Sequence, residues 1–238
     1  MNERGFRYSY GPVPSRRLGK SLGINNIPSK VCTYSCVYCQ VGRTTDMPAE
    51  RRRFYEPEDI FEDVRGRCEK AKEEGERIDY ITFVPDGEPT LDENLGREIS
   101  LLRPLGIPIG VITNNSLIGR DDVREELALA DWVSLKADDV RESIWRKINR
   151  PHRALSLAAI LEGAQKFAES FKGTLVTETM LVEGVNDGDN SLGEIAEVLG
   201  RLRPSAAYLS IPTRPPAEKW VRAPDEGVLN RAYHILGQ

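Results

Sequence analysis

SLGINNIPSKVCTYSCVYC, residues 21–39, sets a strand-like stretch directly ahead of three closely spaced cysteines. SLGINNI (21–27) reads as a first strand, and the cysteines fall on a long loop after it. EPEDIFEDVRGRCEKAKEEG (56–75) then reads as a helix. Its apolar positions Ile60, Phe61, Val64, Cys68 and Ala71 make one stripe at helical spacing, and Gly75 is a stop. Strand and helix alternate from there on. Strands are expected at IDYITFV (78–84), IPIGVIT (107–113), WVSLKA (132–137), GTLVTETMLVEG (173–184) and AAYLSIP (206–212). Helices are expected at 93–106, 121–130, 139–148, 155–170, 190–204 and 225–236, with a break at Asn149–Pro151. Such alternation implies a parallel sheet with right-handed crossovers. The expected fold is α/β, an incomplete (βα)6 TIM-type barrel with parallel strands. A doubly wound open sheet is the competing arrangement. The barrel is preferred because unusual polar residues lie just past strand after strand, and in a barrel those ends share one mouth.

Composition sets the outer bounds. With 238 residues, 39% hydrophobic and 29% charged, the chain can bury a core without disulfide staples. One domain is expected over residues 1–238, with a core at about 11–222, a cysteine loop at 28–42 and a C-terminal helix at about 225–236. No run approaches the ~18 apolar residues of a membrane span. Met1–Tyr10 carries Arg4 and Arg7 with no apolar stretch behind them, so a signal peptide is not expected. The net charge of −4 is unevenly spread. Residues 1–53 hold ten Lys or Arg against three acids, a net of +7, which leaves −11 on the rest. A basic segment on an acidic body suggests an anionic partner, or else a solvated basic surface.

Cys32, Cys36 and Cys39 lie within eight residues, whereas Cys68 stands alone on the helical stripe. A disulfide framework would spread its cysteines along a short secreted chain, so the triplet reads as a metal site in a reducing compartment. Three thiolates suit a four-iron cluster with one iron left open, or part of a zinc site. A structural zinc would want a fourth ligand nearby. The only histidines, His152 and His234, are far along the chain, which favours iron–sulfur.

CTYSCVYC, with aromatic Tyr38 just before its last cysteine, resembles the signature of the radical S-adenosylmethionine (SAM) superfamily. The resemblance extends to VPDGEPTL (84–91), VITNNS (111–116) and VSLKADD (133–139). It implies an enzyme with a [4Fe–4S] cluster on Cys32, Cys36 and Cys39. SAM on the open iron would be cleaved to a 5′-deoxyadenosyl radical, which takes hydrogen from a substrate. It also implies SAM contacts: Tyr38 to adenine, Gly87 and Glu88 to the amino group, Asn114 to the ribose, Ser134 and Lys136 to the ribose and carboxylate. The residue types suit those tasks. Gly87 permits close backbone approach, and Lys136 can meet a carboxylate. Taken singly, Asn114–Asn115 would read as a turn, Ser134 as a barrel-end hydrogen bond and Lys136 as a surface lysine. Their common placement after successive strands gives them weight.

Within the superfamily, GPVPSRRLGKSLGIN, CVYCQVGRT, ERRRFYEP, DGEPTL, EGVND and TRPPAE are similar to the wyosine-synthase-like branch. Members of that branch modify a guanosine in the anticodon loop of transfer RNA (tRNA). They carry a second cluster on cysteines upstream of the triplet. No cysteine precedes Cys32 here, so a single cluster is expected. The resemblance implies tRNA as a partner, a flavodoxin or ferredoxin as electron donor, and a reducing or anaerobic cytoplasm. The alternatives are an activase acting on a partner protein, a small-molecule radical SAM enzyme, and a non-enzymatic iron–sulfur or nucleic-acid-binding protein. Arg51, Arg52 and Arg53 read as phosphate contacts or a solvated run. Arg214, at the end of the last strand, faces the expected mouth as a substrate or SAM contact. Glu178 and Met180 share one face of their strand, Thr177 and Thr179 the other, and either pair lines the barrel. Cys68 reads as a core-facing helix cysteine, and Trp132, Trp145 and Trp220 as packing.

Overall fold

The computed structural model describes residues 7–237. The signal-peptide reading of Met1–Tyr10 and the charge at Arg4 therefore rest partly on residues outside that range. A seven-stranded sheet runs in the order β1 (Ser9–Ser15), β2 (Gly19–Ile24), β3 (Tyr80–Phe83), β4 (Ile109–Thr113), β5 (Trp132–Lys136), β6 (Thr174–Met180) and β7 (Ala206–Ser210). Strands β2 to β7 are parallel, and β1 is antiparallel to β2. Seven helices follow the parallel strands: α1 (Pro57–Glu73), α2 (Leu95–Leu102), α3 (Asp121–Leu127), α4 (Glu142–Asn149), α5 (Leu157–Ser170), α6 (Asp189–Leu202) and α7 (Glu226–Leu236).

The sheet curls into a six-unit incomplete barrel, open between β1 and β7. Leu18, Trp132 and Val176 pack together with Tyr80, Ile112, Ala206 and Tyr208. Side chains from five different strands meet in that cluster, which a flat open sheet does not allow. The alternate positions, among them Ile81, Phe83, Val111, Val133 and Leu135, face the helices and form the main core. Burying each such side chain is worth about 1.5–3 kcal/mol. Local chemistry fixes the helix ends. Pro57 opens α1 with Glu58 and Asp59 in its first turn, where the helix dipole favours acids. Ser156 and Asp225 cap α5 and α7 by accepting from Ala159 N and Val228 N.

Two features depart from the expected elements. β1 was not expected, because Gly11, Pro12 and Pro14 interrupt SYGPVPS. As an edge strand with a register shift between Tyr10 and Val13 it tolerates them. Gly23 makes the hairpin possible, since a Cβ there would sit 2.2 Å from the Tyr10 ring. The 93–106 helix is shorter than expected: α2 ends at Leu102 and Pro104 tightens Arg103–Leu105 into a 3-10 turn. The inward face of β6 carries Glu178. Thr179 on the other face donates its hydroxyl to Ala137 O at 2.9 Å.

Candidate functional site

All parallel strands end at one mouth, and the 25–56 segment after β2 lies across it. Backbone bonds fix its cysteine loop on three sides. Lys30 N donates to Asp86 O at 2.7 Å, and Glu88 N to Val31 O at 3.1 Å, joining it to the loop after β3. Ser35 N donates to Asn149 O at 3.0 Å and Val37 N to Ile148 O at 2.9 Å. The C-terminal carbonyls of α4, otherwise without helical partners, thus receive the loop's N–H groups. Arg150, left-handed at φ 46°, ends that helix so that His152 N can reach Thr33 O at 2.9 Å. From the third side, Glu218 N donates to Val37 O at 3.0 Å, and Glu218 pairs with Arg43 and Arg150.

Cys32, Cys36 and Cys39 all sit on this loop, partly buried. Asn114 Nδ2 donates to Cys32 Sγ at 3.4 Å, and Asn149 Nδ2 to Cys36 Sγ at 3.4 Å. Burial pushes both thiols up, Cys36 to about 12, and these two amides oppose it. Amide donors aimed at sulfur suit a negatively charged, metal-bound thiolate. Three sulfurs on one loop, two of them so supplied, fit a four-iron cluster. Among the described residues no three His, Cys, Asp or Glu side chains close on a single point.

The structure places the other expected cofactor residues around the loop, with several in different employment. Gly87 has a reason within the fold to lack a Cβ. A Cβ there would lie 2.1 Å from Val31 O, so the glycine lets the cysteine loop itself dock. The Glu88 carboxylate is fully buried and taken up. Thr90 N, Thr90 Oγ1 and Thr113 Oγ1 donate to Oε1, and Asn114 N to Oε2 at 2.7 Å. Burial raises its pKa against those four donors. The Asn114 amide is likewise engaged: Nδ2 with Thr33 Oγ1 at 2.8 Å, Oδ1 with Ser116 N at 2.9 Å. Tyr38 is buried, and its hydroxyl donates to Asp138 Oδ2. Lys136 Nζ lies 5.2 Å from the Tyr38 ring centroid and 3.1 Å from Glu178 Oε1. Ser134 is two positions below Lys136 on the same inward face. Glu178 also pairs with Arg17. Burial would raise the Glu178 carboxyl, but the two cations hold it down, to about 2.

The arginine triplet separates. Arg51 is engaged within the fold. It is buried, donating to Thr90 O at 2.9 Å and Asp92 O at 2.6 Å, and it pairs with Asp122 and Glu126. Arg52 is half exposed, paired with Asp46 at 2.5 Å and stacked on Phe54. Arg53 is 79% exposed, its nearest acid Glu93 at 3.9 Å. Arg214 lines the barrel's lateral opening, a cavity of about 400 Å³ shared with Arg16, Gln40, Glu178, Met180 and Thr213. Arg16 and Arg214 are exposed and have no ion pair among the described residues. Cys68 is half buried against the core, its thiol pushed up to about 11 by burial.

Sequence reasoning missed Asp138, Asn149 and Asn186. Asp138 accepts from Tyr38 OH, Asn149 Nδ2 and Met180 N, and Asn186 Nδ2 donates to its backbone oxygen at 2.6 Å. The signal was there: Asp138 lies within VSLKADD (133–139), and Asn149 sits at the noted helix break.

Comparisons with known proteins agree with this geometry. A family model described as the Radical SAM superfamily matches residues 26–196. A UPF0026 protein of Methanocaldococcus jannaschii is 52% identical over 230 residues, 97% of this chain and 71% of that one. A probable dual-specificity RNA methyltransferase RlmN of Symbiobacterium thermophilum is 29% identical over 177 residues, 68% of this chain and 45% of that one. A solved structure of TYW1 with a lysine-pyruvate adduct bound has a TM-score of 0.66 at 17% identity. It covers 91% of this chain and 72% of that chain, a likeness of fold.

Proposed function

The chain belongs to the radical SAM superfamily, and from that premise we propose that it modifies an RNA nucleoside held at the lateral opening. It is an enzyme that uses a [4Fe–4S] cluster and SAM, and such enzymes need an electron donor. When bound, these cofactors supply a 5′-deoxyadenosyl radical that takes a hydrogen atom from the substrate. In this reading Cys32, Cys36 and Cys39 hold the cluster, and Asn114 and Asn149 donate to its sulfurs. Carbonyls beside Gly87 accept from the SAM ammonium, since the Glu88 carboxylate is occupied. Lys136 meets the SAM carboxylate. Ser134 and the Tyr38 ring complete the SAM surroundings. Residues 1–238 act as one domain.

The cysteine loop clamped across the barrel mouth, with an N–H group facing two of its sulfurs, carries the chemical reading. The RNA part rests on two unpaired arginines, Arg16 and Arg214, at the rim of the opening, and on similarity to an RNA methyltransferase. Among the described residues no helix is long and apolar enough to cross a membrane. A reducing cytoplasm, with flavodoxin or ferredoxin as donor, completes the proposal.

Incubated without oxygen with SAM and a one-electron reductant, the reconstituted protein is expected to release methionine and 5′-deoxyadenosine. Cys32→Ala, Cys36→Ala or Cys39→Ala should each abolish release, and Cys68→Ala should not. Release that survives the three substitutions sinks the assignment. tRNA binding should weaken with salt at a log–log slope of about −0.7 to −0.9 per phosphate neutralised. No binding at low salt would replace RNA by a small molecule or a partner protein.

A further inference from the structure

We propose that Asp138 and Asn149 form a positioning pair that sets the hydrogen bond to the Cys36 sulfur and, through it, the reduction potential of the centre. The inference rests on the reading that the triplet holds a cluster. Asp138 is 3% exposed and bound on every side. Met180 N donates to Oδ1 at 2.9 Å, while Tyr38 OH and Asn149 Nδ2 donate to Oδ2, the latter at 2.7 Å. β6 and the backbone bond from Asn186 thus hold the carboxylate still.

Asn149 has a planar amide with two N–H bonds on one nitrogen. The nitrogen lies 2.7 Å from Asp138 Oδ2 and 3.4 Å from Cys36 Sγ, and 3.3 Å from Tyr38 OH. A carboxylate is a far stronger acceptor than sulfur, so the bond to Asp138 decides the amide's orientation. Turning the amide over would set its oxygen against a buried carboxylate in a low dielectric, which is strongly unfavourable. Asp138 therefore keeps an N–H group, rather than a carbonyl oxygen, facing Cys36. An N–H···S bond stabilises the more negative, reduced state and raises the potential. Asn114 has no such carboxylate. Its amide is oriented by the Thr33 hydroxyl and Ser116 N.

The test is a redox titration of the reconstituted holoenzyme. Asn149→Leu removes the donor at similar volume and should shift the midpoint potential to a more negative value, with iron content unchanged. Asp138→Asn should shift the potential in the wild type by a different amount than in the Asn149→Leu background, because the two act through one bond. An unchanged potential in Asn149→Leu, or additive shifts, overturns the pairing. If the substitutions prevent iron loading, wild-type protein carrying 15N-asparagine decides the matter. A nitrogen coupling in the spectrum of the reduced centre, lost when only Asn149 is unlabelled, supports the pair, and its absence refutes it. A wild type that binds no iron would instead break the reading of the site.

Discussion

The cysteine loop 28–42 and the rim of the lateral opening meet at Gln40, yet they are built oppositely. The loop receives or gives backbone bonds on three sides, and two of its sulfurs have a dedicated amide. The rim presents Arg16, Thr213 and Arg214 to solvent with no ion pair among the described residues. Chemistry that needs one fixed geometry sits where the backbone is held from several sides. Groups left free are those a partner must find.

If the loop is rigid because the body grips it, breaking the grip should have the largest effect. Gly87→Val would push a side chain into Val31 O, only 2.1 Å from an ideal Cβ. It should cost about 3 kcal/mol or more in urea unfolding of the cluster-free protein. A variant of normal stability with impaired SAM affinity alone would return Gly87 to the ligand. Arg51→Ala comes next. It leaves Glu126 and two carbonyls unmet and Asp122 with Arg120 alone, worth about 2–3 kcal/mol in the same unfolding measurement. That is less than for a wholly buried pair, because Asp122 is half exposed. Arg53→Ala should stay within about 0.5 kcal/mol. Equal effects would erase the difference between these neighbours.

A smaller effect concerns pH. Glu98 on α2 is 1% exposed beside Asp92, and burial together with that neighbour raises its pKa. The folded chain thus holds a proton that the unfolded chain releases above the ordinary glutamate range. The stability that this proton contributes is fully present below about pH 4 and is lost as pH rises above it. Glu98→Gln should flatten the fall seen in unfolding curves from pH 5 to 8, and an unchanged slope would contradict the buried proton. The smallest stability effect belongs to the rim. Arg16→Ala with Arg214→Ala should move stability by less than about 0.5 kcal/mol while weakening RNA binding and its salt dependence. A stability loss without a binding change would make the rim structural.

The alternation of strand and helix was legible because the core-facing periodicities are local, and the cysteine triplet because its spacing is. β1 was not, since its pairing with β2 overrides three unfavourable residues. Arg51 and Arg53 look alike in ERRRFYEP, but only the fold brings Asp122 and Glu126 to the first. The same folding explains the charge asymmetry. Arg17, Lys20, Arg43, Arg51, Arg52 and Arg53 each meet an acid, most of them far along the chain. A basic stretch of sequence is therefore not a basic face. Asn149 read as a helix break because its second role, donating to a sulfur 113 residues earlier, has no local trace.

The central claim is that the loop holds a redox centre to which SAM binds directly. Electron paramagnetic resonance of the reduced, reconstituted protein tests it, with and without SAM, alongside iron analysis. The account predicts about four irons per chain and a spectrum that SAM alters. Iron retained in full after Cys32, Cys36 and Cys39 are all changed to Ala, or a spectrum indifferent to SAM, would contradict it.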